Sequence, residues 1–497
     1  MPRTETGRDG GEARGTVVTV VGGGLAGCEA AWHLAHRGFG VDLIEARGAR
    51  MAGVSAPEPP WQTDHLAELV CSNSLKSDDP ERPSGLLKRE LERLGSLLIL
   101  LARAHVVAAG SALVVDREGF SRAAIAALTA CSGVRLVRAE LAALPAGPAI
   151  IATGPLTRPA LAAALAEAVG AEGLYFYDAI APVVDADSLD WGRAFQASRW
   201  GRDQGIGRGE GAPGADADDD GDYVNCPLDR EEYDAFVEAI LIADKVVPRA
   251  FEEPRWFENC SPVELMVERG REVLRHGPLR PVGLVDPRTG ARPWAVVQLR
   301  AENAHRTAFN LVGCQTRMTH PAQERVFRLI PALREARFLR FGEVHRNTFV
   351  DAPRRLEEGL FLPGRPDVAL AGLLCGVEGY IESMALGLHA AMRLAARLTG
   401  RPFTEPPATS ALGALVGHIR SAPAPYMPTN VHLGLWPPLE PADRGQSGVR
   451  PQEAGVRPSP AGRMPKAEKR RLLAARAVAD FDAWLAAGPG SGIGGPA

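Results

Sequence analysis

A chain of 497 residues, 45% of them hydrophobic, can bury a large core and exceeds the usual size of one domain. Its 54 glycines and 40 prolines, with only 6% aromatics, argue against a helical bundle and for a loop-rich α/β enzyme. The formal net charge of −4 excludes a globally basic nucleic-acid binder but not a local basic patch.

Such a patch is visible in composition. Residues 251–355 hold 18 Arg against 12 Asp and Glu, and Arg463–Arg471 is basic again. Arginine forks suit phosphates, although an ordinary solvated face has the same composition. The seven cysteines stand at 28, 71, 131, 226, 260, 314 and 375. None has CxxC spacing, so neither a disulfide framework nor a metal site is expected, and a reducing cytoplasmic compartment is. The opening MPRTETGRDGGEARG lacks the apolar run of a signal peptide. No apolar stretch is long enough to span a bilayer, so no membrane partner is expected.

In chain order, residues 1–15 read as a disordered tail. Thr16–Val21 is a β-rich run, Gly22–Gly27 a glycine loop, Glu29–Arg37 a helix ended by Gly38, and Val41–Glu45 a second strand. Pro83–Leu98 has helical spacing behind the Ser/Asp residues of SNSLKSDDP. Ala149–Thr153 is an apolar strand entering Gly154. Residues 201–222 are a Gly/Asp-rich low-complexity loop. Asp229–Ala243 and Ser261–Arg275 read as helices, Val296–Leu299 and Phe309–Val312 as strands. Val368–Ala371 is a strand before Gly372, followed by a helix over 380–398. Residues 440–464 form a Pro/Gly-rich linker before an amphipathic helix over 466–486.

The segment from 16 to 45 is strand, tight turn, helix, strand, the opening of a doubly wound fold. Val20-Val-Gly22-Gly23-Gly24-Leu25-Ala26-Gly27 matches GxGxxG between strand and helix. Gly22 permits the turn, Gly24 admits a pyrophosphate, and Gly27 lets helix and strand approach. The helix N-terminus offers unpaired amides to phosphates. Glu45, at the end of the second strand, stands where a carboxylate binds ribose hydroxyls. The same pattern without a ligand is simply a tight βα turn. A second glycine segment, Gly372-Leu-Leu-Cys-Gly376-Val-Glu378-Gly379, again lies between strand and helix. With the Ala152-Thr153-Gly154 turn it favours FAD over NAD, as in two-part flavoproteins.

Several longer motifs keep their order along the chain. They are ELVCSNSLKSDD at 68–79, VDREGF at 115–120, LYFYDAIAP at 174–182, VVQLR at 296–300, FNLVG at 309–313 with Gln315-Thr316, VHRNTF at 344–349, GVEGY at 376–380 and TNVHLG at 429–434. Together they resemble the folate- and FAD-dependent tRNA (uracil-5-)-methyltransferases over residues 16–440. The resemblance implies an α/β fold: a two-part, Rossmann-like, doubly wound FAD-binding domain over 16–195 and 305–440, interrupted by an inserted α/β domain over 196–304. A linker, helix and flexible tail follow over 441–497. It further implies that the methylene carbon of 5,10-methylenetetrahydrofolate passes to C5 of a tRNA T-loop uridine (position 54 of the tRNA). Reduced flavin makes it a methyl group and NAD(P)H reduces the flavin, so tRNA and folate are the expected partners. The chain departs from the family at Asn259 (usually Gly), Ser261 (usually Met), Cys314 (usually Phe) and Leu373 (usually Gln).

Uracil C5 is a poor nucleophile. A thiolate adding at C6 makes the ring an enolate able to attack a methylene at C5, and a base must then remove the C5 proton. Cys260 suits the first role. Ser261, Pro262 and Glu264 read as N-cap, N1 and N3 of a helix, whose N-terminus lowers a thiol pKa. The resemblance places Cys71 beside the flavin. Cys71 and Cys260 are therefore the expected catalytic pair, with Cys260 favoured as the attacker. Cys226, before Pro227 and an Asp229/Glu232-capped helix, is a weaker candidate, and the remaining cysteines read as small buried hydrophobes. Arg300, His345, Arg346 and Asn347 are candidates to contact folate, flavin phosphate or tRNA, against a structural role in satisfying loop carbonyls. Rival readings are a relative acting on another RNA uridine, a small-molecule NAD(P)H flavin oxidoreductase that needs no Cys260, and a flavin-binding RNA chaperone that needs neither cysteine.

Overall fold

The computed structural model describes residues 15–48, 61, 63–170, 174–179, 181–199, 223–246, 261–303, 305–424, 426, 428–439 and 464–488. The expected loop at 201–222, most of the linker and both tails lie outside these residues. In chain order the elements are β1 (Val17–Val21), α1 (Leu25–Ala35), β2 (Gly40–Glu45), β3 (Ser74–Ser77), α2 (Pro83–Arg93), α3 (Leu97–Ala104), β4 (Val106–Val107), β5 (Ala112–Val115), α4 (Arg117–Ala130), β6 (Val134–Arg138), β7 (Ala149–Ile151), α5 (Pro159–Ala168), β8 (Leu174–Ala179), β9 (Val183–Asp185) and β10 (Phe195–Gln196). After these come β11 (Val224–Leu228), α6 (Arg230–Ile242), α7 (Val263–Arg269), α8 (Val273–His276), β12 (Ala295–Ala301), β13 (Ala308–Val312), α9 (His320–Phe327), β14 (Phe338–Arg340), β15 (Val344–Phe349), α10 (Ala352–Arg355), β16 (Phe361–Leu362), β17 (Arg365–Leu370), α11 (Tyr380–Leu398), α12 (Ala411–Ser421) and α13 (Lys466–Ala486).

Six strands form the first sheet in the order β16-β17-β7-β1-β2-β6. All neighbours from β17 to β6 run parallel, and only β16 is antiparallel. The central strands β1 (VVTVV) and β7 (AII) read as near-continuous apolar runs because helices cover the sheet, whereas β2 and β6 toward the edge carry charged residues. The core around them takes in Val18, Val20, Leu43, Ile150 and Leu370 from strands, and Ala30, Leu34, Met384 and Leu388 from α1 and α11. This is the doubly wound domain expected from the glycine loop.

The second sheet, β10-β11-β12-β13-β9-β14, is antiparallel throughout. It draws strands from both sides of 196–304, β9 and β10 before and β13 and β14 after most of that span, and combines an antiparallel sheet with helices. Alternation decides its faces. Cys226, Val297, Leu299, Phe309 and Leu311 point into a core completed by α6, α7 and α9. Asn225, Gln298, Arg300 and Asn310 are buried on the other face, where Gln298 Nε2 donates to Asn225 Oδ1 at 2.9 Å.

Two helices are shorter than their periodicity predicts. The run from Pro83 breaks at Gly95, whose φ is +80°, and Ser96 caps α3 by accepting from the Ile99 amide at 3.1 Å. The run from Ser261 breaks at Gly270, with φ +159°. At α6 the Asp229–Glu232 capping box forms as expected.

Candidate functional site

At the carboxyl ends of β1, β2 and β7 a cavity of about 400 Å³ opens, at the edge where doubly wound sheets bind ligands. Gly22, Gly24, Leu25 and Ala26 form one wall, Glu45 to Arg47 a second, Ala152 to Thr157 a third, and Gly372, Leu373 and Glu378 to Tyr380 a fourth. Val70, Cys71 and Ser72 close it. The α1 N-cap is Gly24, with no side-chain cap, so the first-turn amides face the cavity without an intrahelical partner. Gly24 has an ordinary φ of −75°, and a Cβ built on it would meet nothing within 4 Å. Neither the backbone nor a neighbouring protein atom demands glycine there; the position opens onto the cavity. Gly27 is different: its Cβ would stand 1.7 Å from the Gly22 carbonyl oxygen.

Glu45 ends β2 with its carboxylate at the cavity. Oε2 accepts from the Gly23 amide at 2.7 Å and Oε1 from the Arg47 amide at 2.8 Å. Burial pushes this carboxyl up, but Arg47 and the amide donors outweigh it and hold it below its ordinary value. Arg47 also pairs with Glu68 at 3.4 Å and stacks over Trp61. Gly154, Gly372, Glu378 and Gly379 border the cavity as expected. Gly376 does not. It lies under Tyr426, whose hydroxyl donates to the carbonyls of Cys375 (2.6 Å) and Gly376 (3.3 Å).

Cys71 is half-buried and borders the cavity. The amides of Cys71 and Ser72 donate to the Tyr380 hydroxyl oxygen at 2.8 and 3.0 Å. Arg300, a candidate for substrate contact, instead donates from Nε to Asn73 Oδ1 (3.0 Å) and from Nη2 to Ser72 Oγ (2.7 Å). At 9% exposure it braces the Cys71 segment from the polar face of the second sheet. His345, Arg346 and Asn347 lie on β15, opposite Asp178, Tyr177 and Phe176 of β8; their side chains lie outside the described atoms. The strand is tied to the cavity rim, because the Thr348 amide donates to the Pro155 carbonyl at 2.7 Å and the Val350 amide to the Leu374 carbonyl at 2.8 Å.

Cys260 and Asn259 lie outside the described residues. The helix after them begins one residue later than expected, with Pro262 as its N-cap and no side-chain cap bond. Glu264 does not close a capping box. Its buried carboxylate takes the Thr316 hydroxyl and the Arg317 and Met318 amides, which orders the loop at 314–318. Cys226 sits in β11 and not at a helix entry. It is fully buried, and burial pushes its thiol far up, which removes it as a nucleophile. Burial likewise pushes Cys28 and Cys375 up, and Cys314 up to about 12.

Three further cavity residues, Arg47, Lys76 and Tyr380, are absent from the candidate site residues, although Lys76 and Tyr380 fall within the motifs at 68–79 and 376–380. Tyr380 accepts from the Cys71 and Ser72 amides, and Arg47 pairs with the Glu45 and Glu68 carboxylates. Lys76 adopts φ +63° and pairs with the buried Glu382 at 2.8 Å. For Arg47 a clue existed, since it stands just past the carboxyl end of β2, where doubly wound folds bind ligands.

The family model described as glucose inhibited division protein A matches residues 17–402. The methylenetetrahydrofolate–tRNA-(uracil-5-)-methyltransferase of Anaeromyxobacter dehalogenans strain 2CP-1 is 52% identical over 440 residues, covering 87% of this chain and 92% of the relative. That of Geobacter sulfurreducens is 49% identical over 471 residues, covering 94% and 99%. The chain belongs to this methyltransferase family. Among solved structures, GidA of Aquifex aeolicus is similar at a TM-score of 0.58 and 14% identity, over 82% of this chain and 67% of that one, a likeness of fold alone. Of the expected departures, Leu373 borders the cavity, Cys314 fills core space in the second unit and Ser261 is buried just before α7.

Proposed function

We propose that this chain transfers the methylene carbon of 5,10-methylenetetrahydrofolate to C5 of a T-loop uridine in tRNA and reduces it to a methyl group, with FAD in the cavity and NAD(P)H as reductant. The observation that carries the reading is Cys71 at the wall of a dinucleotide-shaped cavity, in a chain whose relatives bear this activity in their names. The cavity fits FAD. Uncapped α1 amides and the space before Gly24 suit a pyrophosphate, and Glu45 stands at the ribose end. Bound and reduced, the flavin supplies the electron pair that turns methylene into methyl.

The protein's own part is to hold the reactants and manage protons. Tyr380 and Arg300 fix the segment that presents Cys71. Cys260 is the proposed attacker at uracil C6, and Cys71 the thiol on the flavin side. His345, Arg346 and Asn347, on the strand tied to the cavity rim, and the exposed arginines of 251–355, Arg300 and Arg340 excepted, are proposed to receive folate and RNA phosphates. No described helix is long and apolar enough to cross a membrane. Cys28, Cys131, Cys226, Cys314 and Cys375 are unbridged. With a tRNA substrate, these support a cytoplasmic site of action.

Purified protein, supplied with methylenetetrahydrofolate, NADPH and tRNA lacking 5-methyluridine, is expected to form 5-methyluridine in the T-loop, read by nucleoside analysis of the digest. Formation only with S-adenosylmethionine, or none, overturns the proposal. Glu45→Ala is expected to weaken FAD binding about 10- to 100-fold, the equivalent of one charge-assisted hydrogen bond. Fluorescence titration of apoprotein reads this, and an unchanged Kd would remove Glu45 from the cofactor site.

A further inference from the structure

Three guanidinium groups converge on residues 69–73, the segment that carries Cys71 to the cavity. Arg117 Nη1 donates to the carbonyls of Leu69 (2.5 Å) and Val70 (2.9 Å). Arg340, at the end of β14, donates from Nη1 to the same Val70 carbonyl at 3.1 Å. Arg300 holds Ser72 and Asn73 from the other side. Among the described residues one carboxylate pairs with this group, Glu302, at 2.7 Å from Arg117 Nη2. Three cations against one anion leave the segment with an excess of two positive charges.

Arg340 carries part of this excess. Among the described residues its Nε and Nη2, the two donors along the lateral edge of the guanidinium, are buried and have no hydrogen-bond partner, and the same holds for Arg117 Nε. A buried cation with two unused donors costs free energy unless an anion faces it. Glu302 is already engaged by Arg117. Burial, then Arg117, pushes Arg340 down to about 10, and Glu302, Cys71 and the Tyr380 hydroxyl act against them. Within the segment itself, the one group that can become an anion is the Cys71 thiol. A thiolate there would meet a fixed, desolvated positive field and need no helix terminus.

We propose that Arg340, backed by Arg117, is a positioning residue that stabilises the Cys71 thiolate and so raises its share at neutral pH. The proposal rests on the reading above that Cys71 serves the reaction, but its test does not use methyl transfer. A purely mechanical clamp on the Val70 carbonyl would fix the loop and leave the thiol titration alone.

The test uses flavin-loaded, full-length protein carrying Cys260→Ser, alkylated with iodoacetamide from acid to alkaline pH, with Cys71 labelling read by peptide mass spectrometry. The expected midpoint lies below the ordinary thiol value of about 8.5. Arg340→Gln is expected to raise it by about one pH unit, slowing Cys71 alkylation about three- to tenfold at pH 7 according to where the parent midpoint lies. Arg340→Lys keeps the charge and is expected to stay near the parent. A parent midpoint at or above about 8.5, or an Arg340→Gln profile that coincides with the parent's, overturns the proposal. If Arg340→Gln does not fold, the parent midpoint decides. Failure of the protein with Cys260 intact to form 5-methyluridine, alongside a lowered Cys71 midpoint that Arg340→Gln raises, would count against the proposed reaction and leave this assignment standing.

Discussion

Cys71→Ser is expected to lower the rate of 5-methyluridine formation by roughly a thousandfold or more while leaving the flavin bound. A hydroxyl matches the thiol closely in size but does not ionise near neutral pH, so the variant removes chemistry and keeps shape. The surrounding contacts use backbone atoms: the Cys71 and Ser72 amides on Tyr380, and the Leu69 and Val70 carbonyls on Arg117 and Arg340. None needs the sulfur, so the loop and the cavity should survive. The flavin absorbance spectrum reports the cofactor, and single-turnover nucleoside analysis reports the chemistry. Cys226→Ala is the contrasting case. That thiol is fully buried among Leu228, Val297 and Phe236 in the second core. Its loss is expected to cost about 1–2 kcal/mol of stability, a small cavity, with the rate constant in flavin-loaded protein unchanged. A full rate in Cys71→Ser, or a dead but flavin-loaded Cys226→Ala, would reverse the assignment of the two cysteines.

Gly27→Ala should have the other large effect, and through geometry rather than chemistry. A Cβ at Gly27 would lie 1.7 Å from the Gly22 carbonyl oxygen and 3.5 Å from Val20 Cγ1. The clash is with backbone, so no rotamer relieves it and α1 must move off β1. Overpacking of this kind costs about 3 kcal/mol. The shift also carries the first-turn amides of α1 away from the cavity, so FAD affinity is expected to fall at least a hundredfold, roughly 2.7 kcal/mol. Gly24→Ala separates the two effects. Its Cβ meets no protein atom within 4 Å and its φ is −75°, so the melting temperature should hold while FAD binding weakens. Thermal unfolding of both apoproteins and a FAD titration check the pair. Equal flavin loss with equal destabilisation in both would show that Gly24 faces protein and not cofactor.

What the chain determined alone is local. The strand, glycine loop, helix and acidic residue between 16 and 45 depend on neighbours a few residues apart, and β1, α1 and β2 form there with Glu45 turned back onto the Gly23 amide. The Asp229–Glu232 capping box is equally local. Helix lengths failed where a local rule was overruled locally: apolar periodicity runs through Gly95 and Gly270, yet both take φ values that end a helix. The antiparallel second sheet was out of reach because its strands come from 183–340 with long gaps between partners, and periodicity does not say which strands pair.

The site followed the same division. Glycines that must sit on a turn announce themselves by spacing, and so did Gly22, Gly24 and Gly27. The surroundings of Cys71 do not. Tyr380 reaches its amide across 309 residues and Arg300 reaches Asn73 across 227. Arg340 reaches Val70 across 270. For Arg300 the sequence leaves a substrate contact and a structural role equally open; folding places it on the buried polar face of the second sheet, where it donates to Asn73 and Ser72. Sequence determined that a dinucleotide loop and a chemically apt cysteine exist. Only tertiary structure decided that they share one cavity wall and that three buried guanidinium groups stand behind the thiol, because charge and hydrogen bonding act through space between residues the chain keeps far apart.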